Sequence, residues 1–306
     1  MLRLGDWGPC PRETAISPLE VAAARRDGQG VRVLRRYGLP VLCLTLLAGF
    51  IAFSSGAEAR SGAGAPGCAR LVNAGTSTET ILVGGARRTY LLVVPRSVVA
   101  GQPTPVIMGL HGGSDTAQNA YRYMGLAGDR AALYVFPQAP YWPEAGGVAW
   151  NVDPKGVDFP YFDALLADLG NKYCVDARRI FATGKSNGAF MVNALGCFRP
   201  ALLRAVAPVA GGGPSTARCP GAVAGVAAMI VHGMADRTVP IRSGQWSREY
   251  WLYRNGNTGT ALKPATPAPC VGYPGSAAPV LWCQHDGGHV WPAWAGSAVA
   301  NFFLSL

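Results

Sequence analysis

The stretch that most restricts what this chain can become is Arg179 to Asn193, R-I-F-A-T-G-K-S-N-G-A-F-M-V-N. A β-prone run, Ile180 to Thr183, leads into a tight turn, Gly184 to Gly188, and an apolar-periodic segment follows at once. Strand, sharp turn and helix in that order, with G-x-S-x-G at the turn, are the layout of a nucleophile elbow. There the flanking glycines remove Cβ atoms that would collide with neighbouring backbone. Ser186 is therefore the candidate nucleophile. Gly, Ser and Asn are also common in ordinary turns, so the pattern acquires meaning only from the rest of the chain.

The surrounding chain alternates strand-like and helix-like segments. Thr78 to Val83 and Arg88 to Val94 flank Gly84-Gly85-Ala86-Arg87 and read as a hairpin. Pro103 to Leu110 is almost wholly apolar, as a strand buried on both faces should be. It is followed by a helical segment, Ala117 to Arg130, and a second buried strand, Ala132 to Phe136. Gln138 to Pro160, rich in proline and tryptophan, reads as a long irregular loop. Beyond it come a helix at Tyr161 to Lys172, the elbow strand Arg179 to Thr183 and a helix over Asn187 to Cys197. The strands Leu203 to Val209, Ala227 to His232 and Val280 to Gln284 and the helices Ser243 to Tyr253 and Val299 to Leu306 complete the pattern. Alternation of this kind implies an α/β fold with a mostly parallel sheet covered by helices on both faces.

At the amino end, the apolar run Leu39 to Phe53 follows Arg32, Arg35 and Arg36 and precedes Ala57-Glu58-Ala59. A basic flank, a short apolar segment and an A-x-A site form a secretory signal, so residues 1–59 are read as leader and signal peptide and 60–306 as one catalytic domain. The run is shorter than the roughly 20 residues of a spanning helix, which argues against a stable membrane anchor and for a secreted or periplasmic protein. Residues 60–306 hold 20 basic and 12 acidic side chains. That excess shows no basic stripe interleaved with aromatics, so nucleic acid is not an expected partner. Six cysteines remain: Cys68, Cys174, Cys197, Cys219, Cys270 and Cys283. An even number in an exported chain points to disulfides, with fifteen possible pairings. Nearness along the chain favours Cys197 with Cys219 and Cys270 with Cys283, leaving Cys68 for Cys174. With no C-x-x-C pair, neither zinc nor another metal or cofactor is expected.

In open α/β sheets, reactive side chains gather beyond the carboxyl ends of strands. Ser186 follows one strand end, Asp236 in H-G-M-A-D a second and His289 in H-D-G-G-H a third. The order Ser, Asp, His is that of α/β-hydrolases. His289 would take the serine proton and Asp236 would hold the imidazole in the right tautomer. The Asn187 N–H supplies one oxyanion donor, and the loop at Gly113 and Ser114, after His111-Gly112, the other. Asp286 is a rival acid, but only three residues separate it from His289. His232 reads as support for its strand end and His111 as ordering the oxyanion loop. His285 and His289 are four apart, but Gly287-Gly288 between them disfavours the helix a metal pair would need.

These residues resemble a family: secreted feruloyl esterases of the polyhydroxybutyrate-depolymerase-like group, which also includes acetylxylan esterases. The matching pieces are L-H-G-G, K-Y-C-V-D-A-R-R-I-F-A-T-G-K-S-N-G-A, L-G-C-F-R-P, L-R-A-V-A-P-V-A-G, H-G-M-A-D and P-V-L-W-C-Q-H-D-G-G-H-V-W-P. The resemblance runs from about Cys68 to the carboxyl end. It implies the triad Ser186, Asp236 and His289 and the bridges Cys68–Cys174, Cys197–Cys219 and Cys270–Cys283. Two departures stand out: Asn257 and Ser276 occupy positions where cysteines are frequent, and Ala189 stands where a second glycine is common. The first is expected to loosen residues 254–280.

The resemblance implies an ester substrate, first of all a feruloylated polysaccharide, with polyester or acetylxylan as alternatives and a non-catalytic binding protein as the alternative of a different class. Trp142, Trp150 and Trp291, like Trp294, lie on loops near the proposed site and are candidates for stacking on a phenolic acyl group or a sugar; simple packing is the competing reading.

Overall fold

The computed structural model describes residues 65–214, 219–220, 225–257, 263–267, 269–273 and 278–306. The expected leader and signal peptide, 1–59, lies outside the described residues, as do parts of the 254–280 segment. Among the described residues no helix is long and apolar enough to cross a membrane.

In chain order the elements are β1 (Gly75–Val83), β2 (Ala86–Val94), β3 (Thr104–Leu110), α1 (Ala117–Met124), β4 (Leu133–Pro137), β5 (Tyr141–Trp142) and β6 (Gly147–Val148). They continue with α2 (Asp158–Lys172), β7 (Val175–Lys185), α3 (Asn187–Phe198), β8 (Ala205–Val209), β9 (Ala227–Gly233) and α4 (Ile241–Arg254). The chain closes with β10 (Lys263–Pro264), β11 (Cys270–Tyr273), β12 (Val280–His285) and α5 (Ala295–Leu304). The large sheet runs β1-β2-β4-β3-β7-β8-β9-β12-β11-β10. Neighbours from β4 through β12 pair in parallel, and the strands outside them pair antiparallel. This is the mostly parallel α/β sheet that the alternation predicts.

Every residue of β3, β8 and β9 is buried, because helices cover both faces of the sheet. Side-chain alternation divides β3: Val106, Met108 and Leu110 enter a core with Phe162 of α2, Met191 of α3 and Trp251 of α4. Ile107 points into the opposite core with Ala120 of α1 and Phe303 of α5. The carboxyl ends of β3, β7, β8, β9 and β12 thereby share one edge, and the site is built on that edge.

Several boundaries differ from the sequence reading. Helix α1 stops at Met124 rather than reaching Arg130, because Gly125 takes a left-handed conformation (φ 58°) and ends it. Helix α2 begins at Asp158, ahead of Tyr161; Pro160 sits in its first turn, where the missing N–H has no helical partner to lose. Helix α5 begins at Ala295, four residues early, since Gly296 packs so closely on α1 that a Cβ would lie 2.0 Å from Met124 O. Inside the supposedly irregular Gln138–Pro160 loop, β5 and β6 form a small hairpin.

Among the described residues three disulfides are present, Cys68–Cys174, Cys197–Cys219 and Cys270–Cys283. They are the pairs that proximity and the resemblance favour. Cys68–Cys174 closes the longest loop, with a separation of 106 residues, and chain entropy alone gives such a link roughly 4 to 5 kcal/mol. The bridge Cys270–Cys283 joins directly paired residues of β11 and β12.

Candidate active site

The elbow is set by steric limits. Ser186 joins β7 to α3 with φ 55° and ψ −120°, a region that costs a residue with a Cβ about 1 to 3 kcal/mol and persists only when its surroundings enforce it. The enforcement is visible on both sides. A Cβ on Gly188 would lie 2.4 Å from both Leu110 O and His111 O, and one on Gly184 would lie 2.6 Å from the Gly188 backbone. Only glycine fits at either position. Ala189, where the family often has glycine, is accommodated because Gly211 opposite it has no Cβ; one there would meet the Ala189 methyl at 2.4 Å. The Ser186 N–H donates to Val209 O of β8 at 3.0 Å, tying the turn to the next strand.

Asp236 and His289 meet across the ends of β9 and β12. Their loops are joined by backbone bonds, Met234 N–H to His285 O (2.8 Å) and Ala235 N–H to Gly287 O (3.1 Å). Gly233 permits this approach, since a Cβ there would lie 2.3 Å from Gly287 O. Asp236 Oδ2 accepts from His289 Nδ1 at 2.8 Å, which leaves Nε2 as the free ring nitrogen. Asp236 Oδ1 accepts from the Thr238 and Val239 N–H groups, each at 2.9 Å. Burial alone would raise the Asp236 carboxyl, but the hydrogen bonds from His289, Val239 and Thr238 outweigh it and hold the group below its usual value. The rival Asp286 is exposed.

Two further histidines support the frame. His232 is fully buried, donates from Nε2 to Val239 O at 2.9 Å and lies 3.6 Å from Asp236 Oδ2. Burial pushes its pKa down, keeping it neutral, so it braces the turn that presents Asp236. His111, also fully buried, accepts the Ala139 N–H at Nε2 (3.0 Å), and its Nδ1 then donates to Gly112 O (2.7 Å). Burial lowers its pKa too, and it orders the loop after β3. His285 accepts the Gly287 N–H at Nδ1, which leaves that nitrogen no lone pair for a metal. Among the described residues no group of three His, Cys, Asp or Glu side chains is placed to hold a metal ion.

The oxyanion loop differs from expectation in one respect. The Gly113 backbone lies against the elbow, an added Cβ being 3.9 Å from Asn187 Cβ. Among the described residues neither the Gly113 nor the Asn187 N–H has a hydrogen-bond partner. Ser114 is different: its N–H donates to Val148 O at 2.7 Å, so it is not an oxyanion donor in this structure. Its backbone is left-handed (φ 54°). Among the described residues Ser186 Oγ makes no hydrogen bond. Among the described residues Ser186 and His289 are therefore not hydrogen-bonded, and contacts of this kind often tighten only with substrate bound.

The tryptophans separate. Trp150 is 3% exposed, its ring packed on His111 and Phe162 and its indole N–H donating to His111 O at 3.0 Å, so it offers no stacking surface. This corrects its expected role. Trp142 and Trp291 are half-buried; Trp142 donates to Ala149 O and Trp291 to Met124 O. Sequence reasoning passed over Tyr141, 63% exposed beside Trp142 in the β5–β6 hairpin, and an exposed tyrosine in a loop carries no signal of its own.

Comparison with known proteins agrees with this frame. No protein-family model matches the chain. Feruloyl esterase C of Emericella nidulans is 30% identical to it, in an alignment covering 80% of this chain and 92% of the relative. The chain belongs to the feruloyl esterase C family. It is a serine carboxylesterase. A probable feruloyl esterase C of Aspergillus niger is 29% identical over the same shares of the two chains. Among solved structures, an acetyl xylan esterase from Aspergillus awamori has a TM-score of 0.58 at 16% identity, covering 74% of this chain and 99% of that one. At that identity the likeness speaks for the fold.

Proposed function

We propose that this protein is an extracellular esterase that releases ferulate and related hydroxycinnamates from plant polysaccharide through a Ser186 acyl-enzyme. The observation that carries the reading is the 2.8 Å His289–Asp236 pair, standing on the same sheet edge as a serine held at φ 55°. In this mechanism Ser186 Oγ attacks the ester carbonyl carbon while its proton passes to His289 Nε2. The carbonyl π pair moves onto oxygen, which the Gly113 and Asn187 N–H groups receive. Collapse expels the sugar alkoxide, protonated by His289. Water, deprotonated by the same nitrogen, then attacks the acyl-enzyme and frees the acid. Asp236 stabilises the imidazolium at each stage without taking its proton.

The acyl preference follows the named relatives, and the three disulfides and the expected signal peptide support export. The test pairs Ser186→Ala with wild type on p-nitrophenyl acetate, methyl ferulate and polyhydroxybutyrate film. The variant should lose at least about 10³-fold in turnover on every substrate the wild type cleaves. Full retention would remove Ser186 from the mechanism. Wild-type activity on film alone would overturn the hydroxycinnamate assignment and leave the serine mechanism standing.

A further inference from the structure

The two proposed oxyanion donors come from different elements, Gly113 from the loop after β3 and Asn187 from the first turn of α3. They work only if both point at one atom about 2.7 to 3.1 Å away. The sheet aligns Leu110 with Gly184 but stops there, three residues short of each donor. Beyond that edge, one short segment bonds to both sides: Val148 to Trp150. Val148 O accepts the Ser114 N–H at 2.7 Å, and Gly147 lets Ser114 approach, since a Cβ would lie 2.8 Å from its Oγ. Two residues on, the Trp150 N–H donates to Asn187 Oδ1 at 2.7 Å and Trp150 O accepts from Asn187 Nδ2 at 3.3 Å. The Trp150 indole returns to the first side by donating to His111 O. The segment is itself anchored, because the Asn151 N–H donates to buried Asp158 at 2.7 Å and Asp158 pairs with Arg88.

From these contacts we propose that the Asn187 side chain and the Val148–Trp150 segment set the separation of the two oxyanion donors, making Asn187 and Trp150 positioning residues for the transition state. This rests on the Ser186 reading above. In that reading the Asn187 backbone N–H serves the oxyanion, while its amide side chain holds the bridging segment. An amide does this with both ends because it donates and accepts in one plane; alanine does neither. A misplacement of about 1 Å can cost on the order of 10² in rate, and loss of one donor costs about 10² to 10³.

The test compares wild type, Ser186→Ala, Asn187→Ala and Trp150→Phe on p-nitrophenyl acetate, with active sites counted by a fluorophosphonate burst. Per active site, Asn187→Ala should lower kcat roughly 10- to 100-fold with KM within about twofold. Affinity for an alkyl trifluoromethyl ketone, whose adduct with Ser186 carries an oxyanion, should weaken in parallel, while affinity for ferulate stays unchanged. Trp150→Phe keeps the backbone bonds to Asn187 and an aromatic ring but loses the indole bond to His111 O and part of the packing on His111 and Phe162; it should show a smaller loss of the same kind, and it serves if Asn187→Ala does not fold. An unchanged kcat per titrated site, or a rise in KM alone, overturns the proposal. If Ser186→Ala is inactive while Asn187→Ala keeps full kcat, the positioning role falls and the Ser186 mechanism stands. If Ser186→Ala is active, the mechanism falls first.

Discussion

The two halves of this site are held by different forces. On the side of the proposed nucleophile, at the ends of β3 and β7, position is enforced by backbone contact: Gly184 and Gly188 sit where no Cβ fits, and Ser186 is pressed into a conformation it would not choose. On the acid–base side, at the ends of β9 and β12, position depends on hydrogen bonds and charge state, with Asp236 accepting three bonds and neutral His232 bracing its turn. Both sides contain a glycine where no Cβ fits, Gly233 on the acid–base side, and both contain a buried histidine whose pKa burial lowers, but only the acid–base side presents its side chain through hydrogen bonds to a carboxylate.

The sharpest way to break this contrast is Gly188→Ala. One methyl group is driven to 2.4 Å from two carbonyl oxygens, so Leu110 and His111 must shift or the elbow must open. Turnover on p-nitrophenyl acetate should fall by more than about 10²-fold, or soluble protein should be lost, because the misplacement exceeds what catalysis tolerates. Wild-type turnover from this variant would mean that steric enforcement is not what holds Ser186.

A smaller effect is expected on the other side. Burial pushes the pKa of His232, and likewise of His285 and His111, below the ordinary histidine value. The unfolded chain therefore binds protons that the folded protein refuses. Stability is fully present above the unfolded value of about 6.5 and declines as pH falls through and below it. The lowered Asp236 acts in the same direction at lower pH, its contribution disappearing as pH falls below about 4. Tm measured from pH 7.5 to 5 should drop, and His232→Asn, with one protonation site fewer in the unfolded chain, should drop less steeply. A His232→Asn slope equal to or steeper than wild type would show that buried neutral His232 is not a source of the acid sensitivity.

How much the sequence disclosed follows from the same contrast. The buried parallel strands were legible because burial on both faces leaves a nearly continuous apolar run, as in β3. The elbow was legible because its glycines are the only residues that fit. That Asp236 and His289 come together was legible from their strand-end positions, and the disulfide pairs from their spacing. What escaped depends on contacts between distant, short segments. Nothing in the residues around Ser114 announces that its N–H belongs to Val148, because a two-residue strand has no periodicity to read. Trp150 looked like a stacking platform because loop tryptophans and core tryptophans have the same letter; its burial comes from His111 and Phe162, remote in sequence. Helix ends shifted where local chemistry overruled periodicity, at Gly125, Pro160 and Gly296.

The account stands most directly on Ser186 forming an ester with substrate acyl groups. Wild-type protein mixed rapidly with methyl ferulate, quenched in acid during turnover and digested, offers the decisive measurement by peptide mass spectrometry. The account predicts a feruloyl adduct on the peptide containing Ser186, localised to that residue and absent from Ser186→Ala. A feruloyl adduct on any other side chain, or undiminished ferulate release by Ser186→Ala, would contradict it.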